Sequence, residues 1–466
     1  MIEFSQAERL NRTHKLLIDR DRISANEAAE RFNRFALTLV CGADVAASPS
    51  LQAAILTAAN VSTRVQPGAV RVVLDADATL RVRWPATALS QALEQVGAEV
   101  QVGGSVDSAT PSIVFGNARN RADLRATFNG WCAAVGPASR LGRLPELEGC
   151  ILSGVVSGAL AVSEVFMSIF AVNVQAMTRT VGISLWRPDL AWDLEEAIGP
   201  PLEYLPNEFW CLGLGHLGQA YLWAVGLLPY ARPDRVNLIL HDPQRVGPAN
   251  PGTCALTTDD DVNVHKTRVC RRWLEARGFQ PAVIERRFDE MTKCATDEPM
   301  LALCGFDGNG PRHLLDEAGF RKVVECGLGG RSDNFESMLV HPLPRADVPA
   351  SQYWKNGANG ANGANGANGA ISHEVEQLMR DHPAYSIPTG MCGELQTEMA
   401  SRSVAVPFVG AVASGLVIGE TLRMAHGGEA YDVIDLRLAA PRLMSALRAA
   451  ESYAARCPKI TFCAAA

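Results

Sequence analysis

The stretch CLGLGHLGQAY at 211–221 carries Gly213, Gly215 and Gly218 in G-x-G-x-x-G spacing. That spacing permits a tight strand-to-helix turn and brings phosphate close to backbone N–H groups at a helix N-terminus. The next apolar run, VNLILHD at 236–242, ends in Asp242, placed to accept hydrogen bonds from ribose hydroxyls. Asn250 and Lys266 follow, and MLALCGFDGN at 300–309 puts Asp307 at the end of a further apolar run. Lys266 offers a point cation for phosphate charge. Asp307 stands where open α/β sheets place ligand groups and suits Mg2+, directly or through water. The glycine spacing alone most often marks a dinucleotide-binding dehydrogenase, but Asn250 and Lys266 are not part of that pattern. On spacing alone, Asp242 and Asp307 read equally well as turn acids capping the next helices, and Lys266 as a solvated helix residue.

These residues sit in an alternating α/β pattern that occurs twice. Residues 1–36 read as a charged helical arm in which SANEAAERF resembles a capped helix start. A short apolar run, a turn at Gly42 and a long Ala-rich helix fill 35–61, with Asp44 where phosphate would approach. Strands are expected at 70–76, 112–117 and 182–188, and helices near 86–98, 121–134 and 150–172. From Glu208 the pattern restarts: strand, glycine turn, helix 219–228, strand 236–241 and a helix near 263–277. An apolar strand within 281–288, the run at 300–309, a helix near 311–320 and the strand KVVECGLGG at 322–330 follow. Five tandem Asn-Gly-Ala triplets fill 356–370; they have nothing with which to build a core, and read as a mobile substitute for a natural loop or a low-complexity insert. A helix at 372–381, the loop SIPTGMCGELQ at 386–396 and a glycine-rich helix at 404–424 come next, then a tail read as a short strand and a helix.

Composition narrows the classes. The chain has 466 residues, enough for two or three domains, and a formal net charge of −7 with no Lys/Arg block. General binding to nucleic acid or an anionic membrane is disfavoured, while a local basic pocket stays open. The N-terminus is polar and charged, unlike a secretory signal. The longest apolar run, 404–419, is short for a membrane span and reads as a buried helix. Twelve cysteines without a C-x-x-C pair point to free thiols in a reducing compartment, the cytoplasm by default. Dispersed histidines argue against a structural zinc site. Cys304 and Cys326 fall on strands and read as core; Cys392, in a Gly/Pro/Thr loop, and Cys254, in the nucleotide loop, are the rival nucleophiles. His265 reads as a helix surface residue, and His216 as either a phosphate contact or merely exposed. Trp186 and Trp192 are expected to staple the two halves together.

Taken in order, CLGLGHLGQAY, LILHDPQRVGPANPG, HKTRV, GFDGN and VVECGLGG resemble the adenylation domain of E1-like (ThiF/MoeB-type) ATP-dependent activating enzymes. The resemblance covers about 205–335 well and 392–425 moderately. It implies an α/β protein of two Rossmann-like units, the N-terminal one degenerate and the C-terminal one active, with a mobile cysteine-bearing crossover loop. The implied division is a helical arm 1–36, a degenerate unit 37–204, an ATP-binding unit 205–340, a crossover loop 341–400 and a completing segment 401–466. By the same resemblance Asp242 binds ribose, Asn250 and Lys266 contact phosphates and Asp307 handles Mg2+. Cys392 would then capture the activated C-terminus of a ubiquitin-like protein as a thioester for an E2-like partner, in a system of the kind found in bacterial antiviral defence. Thr253 stands where the family carries an arginine, and Arg12, Arg20 and Arg268 are the candidates to replace it. The competing readings are an adenylyltransferase without thioester chemistry, an NAD-dependent oxidoreductase and a non-catalytic pseudo-E1 scaffold. A homodimer is left open.

Overall fold

Apolar runs punctuated by glycine turns build two sheets with the same strand order. The structure is a computed structural model that describes residues 4–345, 349–354, 379, 382–385, 399–453 and 460–466. The N-terminal arm folds as α1 (Gln6–Arg9), α2 (Lys15–Asp21) and α3 (Ala25–Phe32). The capped start expected at 24 is present: the Ser24 hydroxyl accepts from the Glu27 N–H, and the Glu27 carboxylate accepts from the Ser24 N–H.

The first sheet holds β1 (Leu37–Cys41), β2 (Val70–Leu74), β3 (Glu99–Val102), β4 (Ser112–Phe115), β5 (Leu124–Asn129), β6 (Cys132–Pro137) and β7 (Val181–Ser184), in the order 3-2-1-4-5-6-7. The first five strands run parallel and the last two antiparallel. Its helices are α4 (Pro49–Val65), α5 (Leu89–Gln95) and α6 (Ile151–Ile169). A short strand, β8 (Tyr204–Pro206), leads into the second sheet. That sheet holds β9 (Glu208–Leu212), β10 (Asn237–His241), β11 (Ala282–Ile284), β12 (Leu301–Cys304), β13 (Lys322–Leu328), β14 (Ser337–Leu343), β15 (Tyr431–Arg437) and β16 (Ser445–Arg448). Counted from β9, its order is again 3-2-1-4-5-6-7, with an eighth strand added at the edge. The helices of this unit are α7 (His216–Leu227), α8 (Lys266–Glu275), the single turns α9 (Asn309–Arg312) and α10 (Ala350–Tyr353), and α11 (Pro407–Ala425). The C-terminal β17 (Phe462–Ala464) pairs with β8. Each unit is therefore a doubly wound α/β sheet of Rossmann type, as the alternation indicated.

Three expectations fail locally. Residues 121–134 form no helix; they belong to the β5–β6 hairpin, whose two-residue turn starts at Gly130 in the left-handed region (φ 59°). The helix expected after Arg437 is the edge strand β16, paired antiparallel with β15. The helix near 311–320 is a single turn, α9, followed by irregular chain. The triplets at 356–370, the loop bearing Cys392 and, except for Met379, the expected helix 372–381 lie outside the described residues.

The two units meet through helices. α6 lies on α4, and α11 lies on both α6 and α7. Gly154 and Gly158 let α6 approach α4 closely: a Cβ at these positions would sit 2.1 Å from the Ser50 carbonyl oxygen and 2.2 Å from that of Ala54. Among the described residues only α6 and α11 are long and apolar enough to cross a membrane, and each is 94% buried inside the protein over its most apolar window. They are core helices here. Trp186 packs on Trp131 and reaches Gly428, whereas Trp192 stays against Gly182 of its own unit. The larger aromatic bridge is one the sequence did not flag. Trp84 of the first unit meets Trp223 and Trp273 of the second, and the Arg277 guanidinium lies 4.0 Å from the Trp84 ring centre and 3.5 Å from that of Trp273.

Gly158→Val would force a side chain into the Ala54 backbone. Overpacking of this kind costs about 1–3 kcal/mol, and urea unfolding should show a loss of that size; unchanged stability would mean the helices can separate freely.

Candidate functional site

The glycine turn after β9 takes its shape from Gly213 and Gly218. Gly213 is left-handed (φ 76°). A Cβ on Gly218 would lie 1.9 Å from the Gly213 carbonyl oxygen, so α7 can start this tightly only with glycine there. At Gly215, by contrast, a Cβ would meet no protein atom within 4 Å. Nothing in the fold itself requires glycine at 215; the space beside it is open cavity.

That cavity, about 400 Å3, lies over the C-terminal ends of the parallel strands. Gly213, Gly215, Asp242, Asn250, Lys266 and Asp307 all line it. Gly218 acts behind the wall, through its contact with Gly213. The carboxylate of Asp242 is buried and accepts from the N–H of Leu214 at 2.7 Å and of Gln244 at 2.7 Å. One function of this acid is thus to tie the glycine turn to the loop after β10. Asn250 Oδ1 accepts from the Gly247 N–H at 2.7 Å, which leaves the donor end of the amide for the cavity. Lys266 opens α8 and is 7% exposed, so it is no solvated helix residue; its ammonium donates to Gln244 Oε1 at 2.7 Å. Asp307 follows β12 and is exposed toward the opening.

The structure also chooses among the candidate arginines. Arg12 of the N-terminal arm lines the cavity, and its Nη1 donates to the Ser403 carbonyl at 3.0 Å. Arg20 is turned to Asp21 and the Phe170 carbonyl, and Arg268 to Glu285; neither lines the cavity. Thr253, where the resemblance implied an arginine, is buried on the cavity wall. Arg287 and Arg312 line the cavity too and were not singled out from the sequence. Arg312 stands three residues after Asn309, one helical turn on, which is the signal that could have found it. Its Nη2 lies 2.8 Å from the buried Glu325 carboxylate and donates to the Phe306 carbonyl at 2.6 Å, bracing the segment that carries Asp307. Four cations and two carboxylates therefore face one cavity in a chain that is acidic overall.

The first unit has the same topology without this chemistry. After β1 the Asp44 carboxylate fills the turn: it accepts from the Asn117 N–H at 3.0 Å and lies 2.6 Å from Arg143. α4 then begins at Pro49, which has no N–H, and the Ser48 hydroxyl already accepts from the Leu51 N–H. An internal anion and a cap thus occupy the position that α7, which no side chain caps, leaves toward its cavity.

Cys304 and Cys326 are core, as expected. Burial pushes the Cys304 thiol up to about 12. Cys254 is fully buried as well; burial raises its pKa against the opposing pull of Lys266 and Arg64, which removes it as the rival nucleophile. His265 precedes α8 and does not line the cavity. His216 does line it and is half-buried, so of its two readings the merely exposed one does not hold. Its Nε2 is buried against Gly410 with no hydrogen-bond partner among the described residues, and burial lowers the ring to about 4.

Fold and site together define a two-unit α/β protein with a single phosphate-type turn, in its second unit. The profile of the BilD N-terminal domain matches residues 36–185 and that of the BilD C-terminal domain residues 205–428. Over 440 residues the chain is 35% identical to the bacterial E1-like protein BilD of Collimonas sp. (strain OK412), covering 91% of this chain and 90% of that protein. The chain belongs to this bacterial E1-like BilD family. Solved structures of E. coli MccB align at 13–14% identity and a TM-score of 0.31. The free MccB alignment covers 55% of this chain and 61% of MccB, and that of MccB with ATP covers 54% and 67%. A likeness this distant carries no inference about the present site.

His241, directly before Asp242, is fully buried, and neither ring nitrogen has a hydrogen-bond partner among the described residues. Burial lowers it to about 4. A histidine held neutral in the fold but free to protonate when unfolded stabilises above about pH 6.5 and loses that stabilisation as pH falls toward 4. Between pH 7 and 5 the loss from this residue should be on the order of 2 kcal/mol. His216 and His14 are lowered in the same way, so urea titrations at both pH values should show a larger total loss, and His241→Phe should reduce the difference by about this one residue's share.

Proposed function

We propose that this protein uses ATP to adenylate the C-terminal carboxylate of a small ubiquitin-like protein and captures the product as a thioester on Cys392 for transfer to an E2-like partner. The observation that carries the adenylation reading is the convergence on one cavity of the glycine turn, Asp242, Asn250, Lys266, Asp307 and Arg12. Membership of a bacterial E1-like family supports the same reading. A carboxylate oxygen of the partner attacks the α-phosphorus, the bond from that phosphorus to the bridging oxygen breaks, and pyrophosphate leaves. Lys266, Arg12 and the backbone N–H groups of the turn hold the charge that develops on phosphate oxygens, so the rate gain is electrostatic and positional. Asp242 orders the turn and is placed to meet ribose.

Mg2+ fits as a companion of the triphosphate. No group of three or more His, Cys, Asp or Glu among the described residues could form a protein cage, whereas Asp307 supplies the single carboxylate that such an ion needs beside phosphates and water. When bound it would neutralise phosphate charge. In the second step the Cys392 thiol gives its proton to solvent, the resulting thiolate attacks the acyl carbonyl, and the carbonyl carbon–oxygen bond to AMP breaks, releasing AMP. Burial of Cys254, Cys304 and Cys326 favours Cys392 indirectly. The wider setting, a cytoplasmic bacterial conjugation system of the antiviral kind, belongs to the same proposal.

ATP–pyrophosphate exchange with a candidate ubiquitin-like protein tests the first step. Lys266→Ala should lower exchange roughly 100-fold, the scale of losing one preorganised charge-stabilising group. Wild-type protein that neither exchanges nor binds ATP would overturn adenylation. Cys392→Ala should keep exchange and lose the thiol-sensitive adduct; an adduct that survives would leave an adenylyltransferase that stops at the acyl-adenylate.

A further inference from the structure

The loop between β10 and α8 carries Asn250 and Thr253, both on the cavity wall, yet its rigidity does not come from its own unit alone. From within the unit, Gln219 of α7 accepts from the Leu256 N–H and the Thr257 hydroxyl, each at 2.9 Å. From the other unit, Arg64, in the last turn of α4, reaches across. Its Nη1 donates to the carbonyls of Pro251 at 2.8 Å and Thr257 at 2.6 Å, and its Nη2 to that of Ala255 at 2.7 Å. Asn60, one turn earlier, accepts from Arg64 Nε at 3.0 Å and donates to the Ala255 carbonyl at 3.2 Å.

Three backbone carbonyls and an amide oxygen thus surround one guanidinium, and no carboxylate is bonded to it among the described residues. A surface arginine would find an acid or water instead. Burial lowers this guanidinium to about 10, so it gives up solvation to hold the loop. The carbonyls it binds lie immediately after Asn250 and on the far side of Thr253, so the bracket spans Thr253 and begins at the residue next to Asn250. Lysine cannot reproduce it, because one ammonium lacks the planar fork that reaches three carbonyls at once.

We infer that Arg64, supplied by the unit that has no phosphate turn of its own, is a positioning residue for the nucleotide site of the other unit, fixing the 250–257 loop so that Asn250 and Thr253 meet the polyphosphate. The inference rests on the adenylation reading for its ligand, but the mechanical part stands apart from it. The degenerate unit then acts as a splint for its neighbour's site.

The test uses the full chain with Arg64→Gln, Arg64→Lys and Asn60→Ala. Calorimetry with Mg·ATP should show at least a tenfold weaker Kd for Arg64→Gln and smaller losses for Arg64→Lys and Asn60→Ala. In pyrophosphate exchange the KM for ATP should rise by a similar factor, with kcat within about threefold of wild type. Backbone amide exchange in the absence of nucleotide should accelerate at least tenfold at 250–257 and stay unchanged in β9, β10 and β12. Should Arg64→Gln not fold, the two milder variants carry the same pattern at smaller amplitude. An Mg·ATP Kd within twofold of wild type in folded Arg64→Gln, or in both milder variants, overturns the inference. If wild-type protein fails to bind Mg·ATP, the adenylation reading falls; amide exchange then decides the splint alone, with loop-confined acceleration sustaining it and unchanged exchange refuting it.

Discussion

The close crossing of α4 and α6 is the contact on which the site's placement depends. It needs Gly154 and Gly158, because any side chain there would strike the α4 backbone. α11 lies against α6 and α7, and a Cβ at Gly415 of α11 would sit 2.3 Å from the Val156 methyl of α6. The helices at the centre therefore behave as one packed block shared by both units. Thr57 of α4 accepts from the Trp223 indole at 3.0 Å, and one and two turns further along the same helix stand Asn60 and Arg64. The spacing of two glycines in one helix thus sets how far another helix can reach toward the loop beside the cavity.

Two units of one topology have opposite electrostatics at the same place. In the second, the first turn of α7 is uncapped and glycine leaves room beside it. In the first, Asp44 supplies an internal anion, Arg143 neutralises it, and Pro49 deletes an N–H. A helix N-terminus satisfied from within has nothing left to offer phosphate. The first unit nevertheless keeps its sheet and long helices, and the arm before it places Arg12 at its neighbour's cavity. Its retained value is geometric.

Much of this was legible in the residues. The glycine spacing, the acids after β10 and β12, and Lys266 at the start of α8 all reach one cavity, because strand ends in a parallel sheet fall on one edge whatever lies between them. Asp44 already marked the first turn as non-binding. The failures have local causes. The helix expected near 121–134 ran across Gly130, where a two-residue hairpin turn takes up the left-handed backbone that glycine permits. At 445–448 a run of good helix formers became a strand because β15 presents an edge to pair with, a tertiary effect no local pattern encodes. Arg64 and the Trp84–Arg277 bridge were invisible for a related reason: their partners lie far along the chain, so no spacing rule connects them.

The buried and half-buried charges around the site follow one logic. Arg312 is matched to Glu325 and to the Phe306 carbonyl, Arg64 to three backbone carbonyls and the Asn60 amide oxygen, and Asp242 to two N–H groups. Each bonds a backbone segment that carries other site residues, so these three charges also fix pieces of the cavity wall. Buried charge is costly unless it is fully hydrogen-bonded, and here the bonding that offsets the cost is what preorganises the cavity. Such a site can stabilise developing phosphate charge without reorganising, because its dipoles are set before any ligand arrives. Arg12 fits that arrangement: it is a cation brought to the cavity by the N-terminal arm, which α2, α3 and the Ala405 carbonyl hold in place.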